Sequence, residues 1–489
     1  MKNSINCIIV SIIVAGTAFL SCSKSFLDEP SRTVTIDELI NHPENGAQRI
    51  LGAVYNKFYD WNIHSFSWIG VSSITSDEAD KGSTPGDGGA DKIEMDNWLL
   101  SPTNLSFNDV WEGNFEGIGR ACYAIEFISQ MQLDENEKRR YLGEAHFLRA
   151  YFYWNLVRCF GGVPKINKIL ASQADIEEAS KRVSAEEIYR LIETDLESAL
   201  NSLPNQISKA EQGRPTRYSA MAFLAKVYLY QNKYALSKNM IDQIVSSGLF
   251  ELLPDYSKIW REEGEFSKES IWEINCVATN PPKGITGYTE VQGMRGSGDG
   301  DFGWGFNVPS QSLIAAYEPG DKRKEGTILT SGSILWDGYQ TSATLPNPFY
   351  NYKAYVSKTH ETYFERGNSN KNLRIFRYGE ILLMKAEVYN FMSDTTTALN
   401  ALNELRTRAG LAPIIAESRD KLTEKIHHER LVEMAMEHDR IFDLRRTGRA
   451  GAVLRAQGKA YIDGKHDLFP IPQRQIDLSG GKIVQNPMY

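Results

Sequence analysis

Glu144-Ala-His-Phe-Leu-Arg149-Ala-Tyr-Phe-Tyr-Trp154-Asn-Leu-Val-Arg-Cys159-Phe-Gly161-Gly-Val-Pro164 is the stretch on which the fold turns. From Glu144 to Phe160 it is dense in Ala, Leu and aromatic residues, a pattern that predicts a strong helix. Gly161-Gly162 and Pro164 end it: glycine tolerates the left-handed turn that closes a helix, and proline cannot continue one. Towards the N-terminus, a helix is predicted from about Asn108 to Gln130. Another is predicted within Thr35–Asp60, where Leu39, Ile40, Ile50, Leu51, Val54, Tyr55 and Phe58 recur at three- and four-residue steps. Towards the C-terminus, Ser184 with Glu187 three residues later has the spacing of a capping box and opens a helix to Leu200.

Two later segments have the tetratricopeptide layout, in which paired helices carry small residues where they cross. In the first, Ala225 and Tyr228 precede a turn at Gln231-Asn232-Lys233, and Ser237, Ile241 and Ile244 follow it. In the second, Ala386 and Tyr389 are followed by Ala398, Leu402 and Leu405. The two are far apart in sequence, so the reading is a helical-hairpin scaffold, not a regular array. Between them, from about Gly264 to Asn370, glycine, proline and aromatic residues dominate and helical periodicity is lost. An irregular insert of this length within a scaffold is usually functional. Asp77–Asp91, with Lys81-Gly-Ser-Thr-Pro-Gly-Asp-Gly-Gly89, reads as a surface loop.

The chain opens with Lys2, an apolar run from Ile5 to Leu20, then Ser21-Cys22-Ser23. A charged start, a short apolar core and small residues at the cut define a secretory signal, here residues 1–21. Leu20-Ser21-Cys22 resembles a bacterial lipobox, in which Cys22 becomes the acylated mature N-terminus. Each buried lipid CH₂ contributes about 0.8 kcal/mol, so several acyl chains hold a protein firmly to a membrane. Residues 22–34 would be the tether and residues 35–489 the folded domain.

The composition, 42% hydrophobic and 24% charged, is that of a globular protein with an ample core. A net charge of −8 argues against nucleic acid as a partner, since that surface attracts a basic stripe. With Cys7 in the signal and Cys22 lipidated, Cys122, Cys159 and Cys276 remain. None is spaced for zinc or thiol–disulfide chemistry, and all three read as small buried hydrophobes.

Sites for catalysis are not marked. His428-Glu429 begins a zinc-protease motif, but position 432, where the second histidine belongs, is Val. Glu429, Glu433 and Glu437, with Arg430, Arg440, Arg445 and Arg446 nearby, read instead as a structural ion-pair network. Gly296-Ser-Gly298-Asp-Gly300 lacks the third glycine and the strand-to-helix context of a phosphate loop, and Asp299-Gly-Asp301 fails the calcium-loop pattern. No catalytic residue, metal or cofactor is implied. Aromatic rings are the remaining lead: Trp68, Trp98, Tyr288, Trp304, Trp336 and Tyr339 lie in or beside the glycine-rich regions. The C–H face of a pyranose stacks on such rings, and burying roughly 50 Å² of it contributes on the order of 1 kcal/mol per ring. Several rings are needed to reach even millimolar affinity, about −4 kcal/mol.

Ordered motifs then point to a family. They include Ser76-Asp77-Glu78, Trp111 to Ile118, Glu144 to Pro164, Arg217 to Tyr230 and Glu269 to Ile274. Arg374 to Glu387, Asn403 to Gly410, Glu437 to Arg446, Phe469-Pro-Ile-Pro472 and Gln485-Asn-Pro-Met-Tyr489 follow in sequence. The chain resembles the SusD/RagB lipoproteins, surface nutrient-binding partners of TonB-dependent transporters, over nearly its whole length. The resemblance implies a mainly α-helical fold with tetratricopeptide-like hairpins supporting a large loop-rich insert, and no catalysis. It also implies a glycan ligand, a SusC-like transporter as partner and an outer-membrane, surface-exposed location. The family's shared stretches are mostly scaffold, so ligand contacts are expected from the insert and the early loops. The candidate ligand residues are Trp68, Asp77, Asp80, Trp98, Tyr288, Trp304, Trp336 and Tyr339, with Cys22 for lipid attachment. A peptide ligand, a glycoside hydrolase and a ligand-free helical scaffold remain as alternatives.

Overall fold

The computed structural model describes residue 40 and residues 42–489 apart from 88, 416 and 417, so the lipobox with Cys22 and the tether lie outside the described residues. The scaffold helices are α1 (Pro43–Asn56), α2 (Leu105–Gln130), α3 (Glu135–Phe160), α4 (Ala185–Ser202), α5 (Arg217–Tyr230), α6 (Tyr234–Ser246), α7 (Tyr378–Phe391), α8 (Thr395–Arg408), α9 (Arg419–Glu433) and α10 (Arg440–Arg446).

The deciding stretch is the C-terminal two-thirds of α3. The helix begins earlier than the apolar pattern predicts, because the Asp134 carboxylate accepts from the Asn136 and Glu137 N–H groups at 2.9 and 3.2 Å. Residues 135–140 are mostly charged helix formers without an apolar periodicity. Gly161 closes α3 at φ 72°. α2 packs closely against α3 where Gly117 faces Phe152, and a Cβ there would come within 2.6 Å of the Phe152 ring. At the start of α4, Ser184 accepts from the Glu187 N–H, but the Glu187 carboxylate binds Lys165 at 3.0 Å instead of closing the expected capping box.

Each scaffold helix packs on the next, from α2 through α8. α5 and α6 approach closely enough for the buried Ser237 hydroxyl to donate to the Ala225 carbonyl at 2.8 Å. The two hairpins, distant in sequence, are neighbours in space. α6 packs on α7, the Tyr389 hydroxyl donates to Asp242 at 2.8 Å, and the Tyr234 and Phe391 rings stack at 3.7 Å. The hairpins therefore stack as successive repeats, with the insert spliced between them. Cys122, Cys159 and Cys276 are buried free thiols.

The insert is built from short pieces. β1 (Ala79–Gly82), β2 (Ser270–Ile274), β3 (Phe306–Pro309), β4 (Ile328–Thr330), β5 (Phe349–Asn351), β6 (Tyr363–Glu365), β7 (Asn368–Ser369) and β8 (Leu373–Arg377) form antiparallel pairs β1–β3, β2–β8, β4–β5 and β6–β7. The β2–β8 pair brings together the two ends of the insert. Asp77–Asp91 is not a surface loop throughout: Asp77, Glu78 and Ala79 are buried, β1 follows, and a helix starts at Ala90. Pro85 and Gly86 are exposed.

The acidic face of α9 forms an ion-pair network as expected, but its partners are Arg323, Arg377, Arg406, Arg408 and Lys353 instead of the neighbouring Arg430, Arg440, Arg445 and Arg446. Buried Glu433 meets Arg377, Arg408 and Arg323 at 2.6, 2.6 and 3.1 Å, and Glu429 meets Arg323 and Arg406 at 2.5 and 3.2 Å. Glu437 lies past the end of α9 yet joins the network through Arg377 and Lys353, each at 2.8 Å. Arg323 and Lys353 come from the insert, so the network fixes the insert to the scaffold. Fully desolvated pairs of this kind add little net stability when complete, but breaking one leaves a buried charge unpaired.

Candidate functional site

Four of the expected ligand residues are buried. Trp98 is 1% exposed, packed on Tyr461 and Phe469, with its indole N–H donating to the Thr75 carbonyl at 3.0 Å. Trp68 stacks on Phe442 at 5.9 Å beneath the surface. Tyr288 is buried with its ring against His438. Asp77 is consumed by Arg440. Each belongs to the core because a scaffold element closes over it, which glycine-rich neighbours do not reveal. Asp80 is half-buried on β1, and burial together with Asp96 pushes its carboxyl up from the usual range.

Trp304, Trp336 and Tyr339 are solvent-accessible. Trp304 is joined by a residue that the sequence did not single out: Trp61, 43% exposed, whose ring lies 5.7 Å from that of Trp304 at 47°. Trp61 opens a one-turn helix just after α1 and carries no composition or spacing signal of its own. Phe66 backs Trp304 edge-on at 5.9 Å, and Lys92 sits over the Phe66 ring at 3.9 Å. Tyr339 packs on Phe302 at 5.2 Å, two residues from Trp304, so its loop adjoins the same ridge.

Glycines make this platform. The Trp304 N–H donates to the Glu290 carbonyl at 2.8 Å, and the Gly305 N–H donates to Gly293 at 2.9 Å. A Cβ on Gly303 would fall on the Glu290 carbonyl and within 2.9 Å of Gly293, so only glycine allows the two segments to lie so close. Gly287 similarly leaves room for the Trp61 ring, since a Cβ there would stand 2.8 Å from it. From the opposite side comes the 83–89 loop. The Ser83 hydroxyl oxygen lies 2.8 Å from the Trp304 carbonyl. Asp87 accepts from the Ser83 hydroxyl, the Thr84 N–H and hydroxyl, and Arg295; the Ser83 hydrogen bond above all holds its carboxyl well below the usual range. Arg366 bridges Glu290 and Asp301 at 3.0 and 2.7 Å, and next to it Phe364 is 56% exposed.

The result is a preorganised surface: two inclined indoles, ringed by planar charged side chains already held in hydrogen bonds. Such a surface stacks the C–H face of a sugar ring and offers paired donors and acceptors to its hydroxyls. A helical-repeat scaffold presenting an aromatic capture surface defines a ligand-binding class of protein.

Comparison with known proteins is consistent with that class. Residues 268–489 match the profile of the SusD family, and residues 26–229 match one described as starch-binding associating with outer membrane. SusD-like protein P2 of Formosa agariphila is 27% identical over 431 residues, 81% of this chain and 83% of that protein. A solved laminarin binding SusD-like protein is 27% identical with a TM-score of 0.76, covering 91% of this chain and 99% of its own. Surface glycan-binding protein A from Bacteroides thetaiotaomicron, solved in complex with laminarihexaose, is 25% identical with a TM-score of 0.78, covering 90% and 99%. The chain belongs to the SusD/RagB family.

Proposed function

We propose that this protein captures a glycan on the Trp61–Trp304 platform and hands it to a SusC-like TonB-dependent transporter in the outer membrane. The observation that carries the reading is the pair of accessible indoles at 5.7 Å, fixed by glycine-dependent packing. The laminarin and laminarihexaose named for two structural relatives support a β-glucan as the first ligand to try. Under this reading Cys22 carries the lipid that holds the protein on the cell surface, residues 22–34 are its tether, and the stacked hairpins form the face that meets the transporter. The role is binding and delivery, without catalysis.

Affinity gel electrophoresis of the chain beginning after Cys22, through a panel of polysaccharides including laminarin, tests it. Retardation by one polymer, sharply weakened in Trp61→Ala and Trp304→Ala, is the expected result. No retardation by any polymer, with a peptide bound instead, would sink the glycan reading.

A further inference from the structure

Trp336 belongs to a different place. It stands at the rim of a cleft of about 990 Å³ between the 254–263 segment, the end of α8 and the β4–β5 hairpin. Neither Trp61 nor Trp304 lines this cleft. Its volume is at the upper end of the roughly 300–1,000 Å³ typical of small-ligand sites. The hairpin carries two apolar side chains into it, Trp336 at 45% exposure and Ile334 at 70%.

The turn that presents Trp336 is pinned. The Leu335 N–H donates to the Tyr339 carbonyl at 2.9 Å, with Gly338 supplying the positive φ of 81°. The Trp336 N–H donates to the Tyr352 hydroxyl at 3.1 Å, and the Tyr355 hydroxyl donates to Asp337 at 2.7 Å. The guanidinium of buried Arg261, held by the Tyr352 and Tyr355 carbonyls at 2.7 and 3.0 Å, lies 5.8 Å from the indole centre. His360 meets its edge at 5.5 Å. Backed in this way, the indole is oriented before any ligand arrives, which removes part of the ordering cost of binding.

Charges of both signs line the cleft. Asp255, Lys258, Glu263, Lys322 and Glu325 all line the cleft and are exposed. Lys258 pairs with Glu263 at 3.2 Å, while Lys322 and Glu325 have no ion-pair partner among the described residues. An exposed aromatic face beside alternating donors and acceptors suits a hydroxylated ring, not an apolar helix or a purely anionic group. We infer that this cleft is a second saccharide site, separate from the Trp61–Trp304 platform and centred on Trp336, so that one chain grips a polymer at two places. The inference rests on the glycan-binding reading above.

Isothermal titration into the mature chain counts the sites. The probe is laminarihexaose, or the hexasaccharide of whichever polymer retards the protein. The wild type is expected to take up two hexasaccharides per chain, and Trp336→Ala and Trp304→Ala one each. Ile334→Asp, at a position that packs on little, is expected to weaken only the Trp336 site, leaving the uptake lost in Trp304→Ala unaffected. One hexasaccharide per chain in the wild type, or two that survive in Trp336→Ala and Ile334→Asp, would overturn the second site while leaving the first intact. No uptake by the wild type of any hexasaccharide would overturn both readings.

Discussion

Asp77 and Arg440, 363 residues apart in the chain, meet in a two-pronged ion pair, with Nε donating to Oδ1 and Nη2 to Oδ2, each at 2.7 Å. Both side chains are almost entirely buried. The pair ties the segment leading into β1 to α10, so an acidic residue that reads as ligand-facing is part of the fold's closure. Bidentate, desolvated pairs of this geometry are demanding: removing one partner leaves the other as a stranded charge.

Asp77→Asn is therefore expected to destabilise the protein by about 3–5 kcal/mol, the cost of stranding a buried Arg. Asp80→Asn, on a half-buried strand position, is expected to change stability by less than about 0.5 kcal/mol. Denaturant titration of both variants measures the difference. Equal stabilities would refute the structural role of Asp77.

The tryptophans divide in the same way. Trp98→Ala removes a ring that is 1% exposed and is expected to cost about 3–5 kcal/mol. Trp61→Ala should cost less than about 1 kcal/mol while sharply weakening retardation by the polysaccharide. Thermal melting and affinity electrophoresis on the same preparations give both readouts. A Trp98→Ala variant that melts like the wild type and no longer binds glycan would reverse the assignment.

Gly303→Ala tests the platform without touching a ring. The added methyl group meets the Glu290 carbonyl, so the backbone carrying Trp304 must shift. Glycan retention is expected to fall at least as far as in Trp304→Ala, with the scaffold still folded by circular dichroism. Retention at the wild-type level would show that the close packing of residues 293 and 303 does not set the ring's position.

Acid should loosen the fold in a window set by histidines. Burial holds His64 down to about 3 and His438 to about 4. In the unfolded chain both take up a proton near pH 6.5. Between about pH 6.5 and 4 the unfolded state thus binds more protons than the folded one, and stability falls as pH falls; above that window these groups add no slope. His64→Phe, which keeps an aromatic ring beside Phe58 and Tyr151, is expected to flatten the dependence. Denaturation midpoints at pH 7, 6, 5 and 4 measure it, and an unchanged slope in the variant would count against the buried neutral histidine.

The scaffold was legible because helix pairs announce themselves by spacing. Ala225, Ser237 and Ala386 mark close crossings, and Gly161 and Pro164 mark an end, all properties of the local chain. The start of α3 was not, because residues 135–140 lack an apolar stripe and depend on the Asp134 cap. Burial was the harder quantity. Trp98 follows one glycine-rich stretch and Trp304 lies within another, and it is the C-terminal segment bringing Tyr461 and Phe469 over Trp98 that buries it. Trp61 went unnoticed because it continues the α1 pattern, and its exposure arises from how a one-turn helix is set against residue 287.

The neck formed by β2 and β8 has an evolutionary consequence. Its strands hold the ends of the intervening segment side by side, and α5 packs against both of them. Because closing a longer loop costs only about 0.6 kcal/mol per doubling of its length, what lies beyond the neck can lengthen or shorten with little penalty to the repeat stack, provided Arg323 and Lys353 still meet the carboxylates of Glu429, Glu433 and Glu437. The stack then acts as a fixed chassis, and the cartridge it carries is free to vary wherever those anchors are kept.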